Sequence, residues 1–198
     1  MKPVNNKIVL LALAGVMIMG FFKYFEIIGK NIFGIETGKR MYPGSGVENF
    51  GKVDDSIYRG SYPDRKDYVY LKNKLGIKTV VDLTDDPEDW CVEQASKVGI
   101  GYINIPLSDK KYPTKEQVKQ LEAVMLDSRL YPIFHHCRGN RHRGGIAAGV
   151  YRVNKYGWDY ERVYKEMLEF DWYDHFGHKP LRSFMRDYAE NFSGERIK

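Results

Sequence analysis

Residues 131–145 read Tyr-Pro-Ile-Phe-His-His-Cys-Arg-Gly-Asn-Arg-His-Arg-Gly-Gly. The apolar residues 131–134 predict a short buried strand, and residues 137–143 predict a loop that follows it. From Gly144 onward the chain is rich in small residues, which predicts a helix that can pack close to a sheet. A strand, a tight loop and a helix N-terminus form an anion-binding site, because free backbone N–H groups and the helix dipole point at one place.

Two residues of this loop are suited to chemistry on a phosphate. Cys137 opens the loop, where the N–H groups and the dipole favour the reactive thiolate. Arg143, six positions further on, can bend back and hold two phosphate oxygens in a fork. The spacing therefore predicts a nucleophile and an oxyanion clamp within one loop.

Together with the residue before it, the loop matches a known pattern: His136, Cys137, five residues, then Arg143. The sequence thereby resembles the cysteine-dependent protein tyrosine phosphatase superfamily, and within it the small dual-specificity branch. Three upstream blocks follow the order of that branch: residues 57–63, 76–83 and 105–107. The resemblance covers roughly residues 55–192 and implies a phosphomonoesterase with a phosphocysteine intermediate. It also implies that His136 orients the loop and tunes the cysteine.

The reaction needs a carboxylic acid that protonates the leaving oxygen from a loop facing the cysteine. In the family this acid lies a few tens of residues upstream of the cysteine, which favours Asp109, directly after the block at 105–107. Asp85 and Asp86 are the alternatives, although acidic residues before Pro87 also fit the start of a helix.

The residues between Cys137 and Arg143 are expected to bind the substrate. They are Arg138, Gly139, Asn140, Arg141 and His142. Basic residues at positions 138 and 141 resemble the inositide-phosphatase pattern, in which lysines flank additional phosphates. The substrate therefore stays open between inositol phosphates or phosphoinositides and proteins phosphorylated on tyrosine, serine or threonine.

Two positions depart from the family pattern. Asn140 stands where the family usually has glycine, and asparagine is the next most tolerant residue for a left-handed backbone. Gly144 stands where the family usually has serine or threonine, whose hydroxyl helps the sulfur leave in the second step. This opens a second hypothesis, a phosphate-binding module with little turnover. A sulfurtransferase is a third, disfavoured by the five-residue gap and the upstream blocks.

The sequence predicts neither a metal nor another cofactor. His135, His136, Cys137 and His142 lie close together, but adjacent strand residues point to opposite faces and the neighbouring arginines repel a cation. Cys91 is expected to face the hydrophobic core of the domain from its helix. The alternative is a resolving thiol that traps oxidised Cys137.

Strands alternating with helices predict an α/β domain with three layers, a central, mostly parallel, twisted sheet between helices. The predicted strands are 57–59, 77–83, 102–107 and 131–134. The predicted helices are 64–75, 85–99, one from a capping box at Thr114 and Gln117, 144–155, 158–169 and 180–192. Cys137 would then lie at the carboxyl edge of the sheet, where α/β domains bind ligands.

The chain has 198 residues, a net charge of +5 and two cysteines. The charge suits an anionic substrate or membrane surface, no nucleic-acid-binding module is recognisable, and two cysteines exclude a disulfide scaffold.

The N-terminal residues predict attachment to a membrane. Lys2 and Lys7 precede an apolar run at residues 8–22, which favours an uncleaved signal-anchor over 1–33. A cleaved secretory signal and an amphipathic helix are the alternatives. A linker at 34–52 would lead to a catalytic domain at 53–198. The leading lysines favour a domain on the outer face, periplasmic in a bacterium, with a secreted or periplasmic protein as the second choice.

Overall fold

A computed structural model of the protein describes residues 39–40 and 46–196, with the side chains of residues 46–191. The predicted signal-anchor lies outside the described residues, as does most of the predicted linker. Among the residues that are described, no helix combines the length and the apolar character needed to cross a membrane.

Six strands form one sheet in the order β1-β2-β3-β6-β4-β5. They are β1 (Lys39–Arg40), β2 (Gly51–Lys52), β3 (Ile57–Gly60), β4 (Thr79–Asp82), β5 (Gly101–Asn104) and β6 (Ile133–His136). Strands β3, β6, β4 and β5 run parallel to one another, whereas β1 and β2 add an antiparallel edge beside β3. The predicted α/β sheet is confirmed, but the sheet is mixed because of this edge, which no sequence pattern indicated.

The register brings the carboxyl ends of three strands level with one another. His136 at the end of β6 pairs with Gly60 on one side and with Asp82 on the other. The chain leaving β6 therefore emerges in the middle of the parallel part of the sheet. This is where a ligand site of an α/β domain is expected.

Strand β6 begins and ends later than the prediction of 131–134. His135 and His136 lie between the predicted strand at 131–134 and the predicted loop at 137–143, and the structure places both in β6, fully buried and paired with β4. The backbone of Pro132 instead accepts from Lys78 and Thr79, just before β4. The structure thus extends the strand up to the cysteine.

Within the described residues, six α-helices accompany the sheet. They are α1 (Arg65–Leu75), α2 (Trp90–Lys97), α3 (Lys115–Met125), α4 (Arg143–Tyr156), α5 (Tyr160–Glu169) and α6 (Lys179–Arg196). The predicted capping box of Thr114 and Gln117 is present at α3, and Gly76 ends α1 in the left-handed region. Helix α2 starts at Trp90, later than the prediction of residue 85, because Asp85 and Asp86 turn towards the loop after β6.

The helices form two groups around the sheet. Helices α1 and α2 pack on a core cluster that contains Val80 of β4 and Phe134 of β6. Helix α4 contacts β3 and β6 and also α3, α5 and α6. A Cβ atom at Gly149 would lie within 3.0 Å of Val163 in α5 and Met185 in α6. The small residues of α4 therefore permit a close approach of helices as well as packing near the sheet.

Candidate active site

The loop between β6 and α4 brings Cys137 and Arg143 together at the carboxyl edge of the sheet. Cys137 follows β6 directly, and Arg143 is the first residue of α4. Both side chains are largely enclosed, with 3% exposure for Cys137 and 5% for Arg143. The predicted strand, loop and helix arrangement is thus present, with the nucleophile candidate at the N-terminus of a 14-residue helix.

The backbone N–H groups of this loop are available to an anion. In the described part of the chain, no N–H from Arg138 to His142 donates a hydrogen bond to a protein acceptor. The side chain of His142, the residue before α4, does not cap the helix either. Unpaired N–H groups at the start of a helix are the arrangement that binds phosphate.

The two arginines nearest the ends of the loop are paired with the aspartates after β4. Arg143 donates from Nη1 to Oδ1 of Asp85 at 2.7 Å, and Arg138 forms an ion pair with Asp86. The hydrogen bond from Arg138 holds the pKa of Asp86 below its ordinary value. These aspartates, expected to begin a helix, instead lie beside the loop.

The loop that carries Asp109 also reaches Arg143. Nη1 of Arg143 donates to the backbone oxygen of Leu107 at 3.1 Å, two residues before Asp109. The backbone oxygen of Asp109 accepts from Nδ1 of His178 at 2.8 Å, and its side chain is 39% exposed. The structure therefore brings the Asp109 loop to the loop of Cys137 without tying the carboxylate to an arginine.

A buried arginine supports the loop from β3. Arg59 donates from Nε to Oδ1 of Asn140 at 2.9 Å and from Nη2 to the backbone oxygen of Asn140 at 3.1 Å. Its guanidinium also stacks on Phe170, 3.9 Å from the ring centroid. No sequence pattern predicted this role of Arg59. The signal that could have indicated it is the presence of a charged residue inside the block at 57–63.

Asn140 adopts the left-handed backbone expected of it, with a φ of 52°. Its amide nitrogen donates to the backbone oxygen of Asn49 at 2.7 Å. Asn49 in turn donates to the backbone oxygens of Gly139 at 3.1 Å and of Phe170 at 3.0 Å. The turn at the middle of the loop is therefore fixed by side-chain hydrogen bonds.

His136 is the last residue of β6, directly before the cysteine, and its side chain is fully buried. Its ring packs edge-on to Tyr62, with centroids 5.0 Å apart, and Nδ1 is 3.8 Å from a carboxylate oxygen of Asp82. Burial lowers the pKa of His136 to about 4, so the ring is neutral at neutral pH. A neutral ring directly before Cys137 fits the predicted role of orienting the loop.

The side chain of His142 packs into the wall of the site. Its Nε2 donates to the backbone oxygen of Tyr173 at 3.0 Å, and its ring stacks on His178 at 3.6 Å between centroids. Burial lowers the pKa of His142 to about 4. Its backbone N–H, rather than its ring, is the group that remains for a substrate. Arg141 and the backbone of Gly139 lie at the more exposed side of the loop.

Cys91 lies in the core, as expected for the residue facing inward from α2. It is fully buried, and its sulfur is 3.1 Å from the hydroxyl of Tyr62. Burial raises the pKa of the Cys91 thiol, which disfavours the reactive thiolate that a resolving cysteine needs.

No group of three or more His, Cys, Asp and Glu side chains within the described residues could hold a metal ion.

Comparison with known proteins identifies relatives with this fold. The chain is 27% identical to the putative tyrosine-protein phosphatase OCA1 of Mycosarcoma maydis over 75% of its own length and 93% of the relative's. It is 28% identical to the inositol diphosphatase SIW14 of Saccharomyces cerevisiae and 27% identical to the dual specificity protein phosphatase TpbA of Pseudomonas aeruginosa. These matches cover 76% and 60% of the chain, and each spans 53% of the relative.

Two solved structures show the same fold. The crystal structure of P. aeruginosa TpbA matches with a TM-score of 0.66 at 19% identity, over 82% of this chain and 97% of that one. The core catalytic domain of SIW14 in complex with citrate matches with a TM-score of 0.62 at 20% identity, over 76% and 94%. The model of the tyrosine phosphatase family matches residues 46–198, which include the whole Cys137 loop. The chain therefore belongs to the tyrosine phosphatase family and is a phosphoric monoester hydrolase.

Proposed function

We propose that this protein hydrolyses phosphomonoesters through a phosphocysteine on Cys137. One observation carries the proposal: Cys137 and Arg143 lie at the two ends of a loop whose N–H groups from Arg138 to His142 have no acceptor in the described chain. Such a loop holds the three non-bridging oxygens of a phosphoryl group above the sulfur.

In the first step, the thiolate of Cys137 attacks phosphorus in line with the leaving group. The S–P bond forms as the P–O bond breaks, and the leaving oxygen takes a proton from the carboxyl group of Asp109. The loop N–H groups and Arg143 stabilise the charge on the remaining oxygens. Asp109 suits this role better than Asp85, because the Asp85 carboxylate accepts from Arg143.

In the second step, water attacks the phosphorus of the phosphocysteine. Asp109, now a carboxylate, takes a proton from this water as the S–P bond breaks and its electron pair returns to sulfur. Inorganic phosphate leaves, and the Cys137 thiolate is regenerated. Neither step uses a metal, so EDTA should leave the rate unchanged.

For the substrate, we favour phosphoesters that carry further phosphates, such as inositol polyphosphates. Arg141 on the loop and Lys110 and Lys111 beside Asp109 are exposed, and basic side chains around a site attract polyanions. The relatives divide between SIW14, an inositol diphosphatase, and TpbA, a dual specificity protein phosphatase. Phosphotyrosine proteins are therefore the second candidate.

A phosphate-binding module with slow turnover is a second candidate function. It is favoured by Gly144, which supplies no hydroxyl to the departing sulfur.

Phosphate release by the full-length chain tests the proposal. The substrates are a phosphotyrosine peptide and soluble inositol polyphosphates, with Cys137→Ser as the control. We expect release by the native chain alone, unchanged by EDTA. Release by the Cys137→Ser variant at the native rate would exclude the phosphocysteine, and binding of phosphate without release from any substrate would favour the slow module.

Membrane attachment is a separate proposal that rests on Lys2, Lys7 and the apolar run at residues 8–22. Full-length protein should stay in the membrane pellet after carbonate extraction. Recovery in the soluble fraction would contradict the anchor.

A further inference from the structure

His178 connects the loop of Asp109 to the start of α6. Its ring is buried, and Nδ1 lies 2.8 Å from the backbone oxygen of Asp109. A carbonyl oxygen only accepts hydrogen bonds, so Nδ1 carries the hydrogen and donates it. The same nitrogen is 3.9 Å from a carboxylate oxygen of Asp109. One ring nitrogen thus fixes the backbone of the acid candidate.

The face of the His178 ring lies against the loop of Cys137. It stacks on His142 with centroids 3.6 Å apart and planes 15° from parallel, and the ring of Tyr173 lies edge-on at 5.3 Å. His142 is itself fixed, because it donates to the backbone oxygen of Tyr173. His178 therefore touches both the loop that would bind phosphate and the loop that would supply the proton.

The position of the Asp109 carboxylate depends on the position of the Asp109 backbone. No hydrogen bond from the described residues reaches that carboxylate, and the side chain is partly exposed. This freedom suits a group that must gain and lose a proton. It also means that the position of the carboxylate depends on how the Asp109 backbone is held.

We propose that His178 is a positioning residue, which holds Asp109 at the distance from Cys137 that proton transfer to the leaving oxygen requires. The proposal rests on the acid role given to Asp109 under the proposed function. A general acid must lie within hydrogen-bond reach of the oxygen it protonates, and small misplacements of such groups reduce rates strongly. Loss of the Nδ1 donor should therefore weaken acid catalysis while phosphate binding is retained.

Dependence on the leaving group distinguishes this role from a general effect on folding. Phenyl phosphate releases a phenol that is as weakly acidic as tyrosine, so its cleavage needs a proton donor. 4-Nitrophenyl phosphate releases a far more acidic phenol and needs the donor much less. The ratio of kcat/KM for the two substrates therefore reports on the acid, because kcat/KM covers only the steps up to cleavage of the P–O bond and does not depend on hydrolysis of the phosphocysteine. A partly unfolded enzyme loses activity equally on both substrates.

Four variants of the full-length chain test the inference. His178→Phe keeps the ring that stacks on His142 but removes the donor. His178→Asn removes the ring but keeps an amide nitrogen at the position of Nδ1. Asp109→Asn removes the acid itself, and His175→Phe changes an exposed histidine three residues away as the matched control. Inhibition by inorganic phosphate and thermal unfolding check that the Cys137 loop is intact.

We expect Asp109→Asn to lower kcat/KM for phenyl phosphate about 100-fold, within the range for general acids, with a much smaller loss for 4-nitrophenyl phosphate. His178→Phe should lower it about tenfold in the same selective way, His178→Asn should recover most of this loss, and His175→Phe should match the native chain.

Two results would overturn the inference. If Asp109→Asn is selective and His178→Phe is not, His178 does not position the acid and the proposed function stands. If Asp109→Asn itself loses activity equally on both substrates, the acid assignment fails and the role of His178 fails with it.

Discussion

The carboxamide of Asn140 occupies the space in which a side chain at Gly144 would begin. A Cβ atom on Gly144 would lie closer than 3.0 Å to Oδ1 of Asn140, and that oxygen accepts from Nε of Arg59 at 2.9 Å. The two departures from the family pattern are therefore one coupled change. Asparagine at position 140 leaves room for glycine at position 144. It does not leave room there for a residue that carries a hydroxyl group.

Serine at position 144 should consequently destabilise the native chain. Gly144→Ser must displace the Asn140 carboxamide from Arg59, and overpacking of this kind costs about 1–3 kcal/mol. In an Asn140→Gly background the same serine should be tolerated, so a double-mutant cycle of urea unfolding should give a coupling of at least about 1 kcal/mol. Equal costs in both backgrounds would show that the two positions are independent.

The same pair of changes should accelerate the second chemical step. In the native chain no hydroxyl stands at position 144 to help the sulfur leave, so phosphocysteine should accumulate. We expect a burst of 4-nitrophenol, close to one per enzyme, in rapid mixing with 4-nitrophenyl phosphate. The Asn140→Gly/Gly144→Ser variant should show a smaller burst and a faster steady state. A native chain without a burst would contradict the slow second step.

We expect Asp85 to compete with phosphate for Arg143. The two side chains pair at 2.7 Å while the carboxylate remains half exposed. A phosphate that binds Arg143 in a fork must share or displace this carboxylate. Asp85→Asn should therefore lower the inhibition constant of inorganic phosphate about two- to fivefold, in line with the worth of an exposed ion pair.

Asp127→Asn is the matched control for this change, because it breaks the surface pair with Arg129, whose residues belong to neither loop of the site. It should leave phosphate inhibition unchanged. Weaker phosphate binding by Asp85→Asn would mean that Asp85 orients Arg143 for the substrate instead of competing with it.

Arg141 should distinguish polyphosphorylated from singly phosphorylated substrates. It is exposed on the loop, and in the described chain it has no ion-pair partner of the kind that Arg138 and Arg143 have. Arg141→Ala should lower kcat/KM about tenfold for an inositol polyphosphate at low salt, with less than about a twofold change for a phosphotyrosine peptide. Arg129→Ala serves as the control, and equal losses on both substrates would remove Arg141 from substrate selection.

What the sequence could predict here was local. The loop of Cys137 and Arg143, the left-handed turn at Asn140 and the capping box at Thr114 each depend on residues a few positions apart. Hydrophobic periodicity and turn chemistry indicate such features directly. The family resemblance added the expected order of the three sequence blocks before the loop and the prediction of Asp109 as the general acid.

The contacts that the sequence did not indicate join residues far apart in the chain. Arg59 and Asn140 are 81 positions apart, Arg143 and Asp85 are 58 apart, and His178 and Asp109 are 69 apart. No periodicity relates such residues. The parallel register of β3, β6 and β4 brings the first two pairs to one edge of the sheet, and the tertiary fold brings the third pair together. The end of β6 differed from the prediction for a related reason, since the apolar run stops at Phe134 while the sheet also encloses the two histidines that follow.

The two histidines of β6, together with His142, should lower the stability of the fold at acidic pH. Burial lowers the pKa of His135 well below its ordinary value and that of His136 and His142 to about 4. Between about pH 4 and the ordinary value of about 6.5, the unfolded chain therefore binds protons that the native chain does not. Stability should be fully present above pH 6.5 and fall as the pH drops through this window.

His135 allows the prediction to be tested with one substitution. Neither of its ring nitrogens has a hydrogen-bond partner in residues 46–196, so His135→Leu leaves no polar group without its partner. We expect the free energy of unfolding in urea to fall between pH 7.5 and 5.5 by about 1 kcal/mol for each of His135, His136 and His142. His135→Leu should reduce this fall by about 1 kcal/mol, the contribution of one histidine. His175→Leu, at an exposed position, should not change it. An unchanged fall in the His135→Leu variant would mean that the acid sensitivity arises elsewhere.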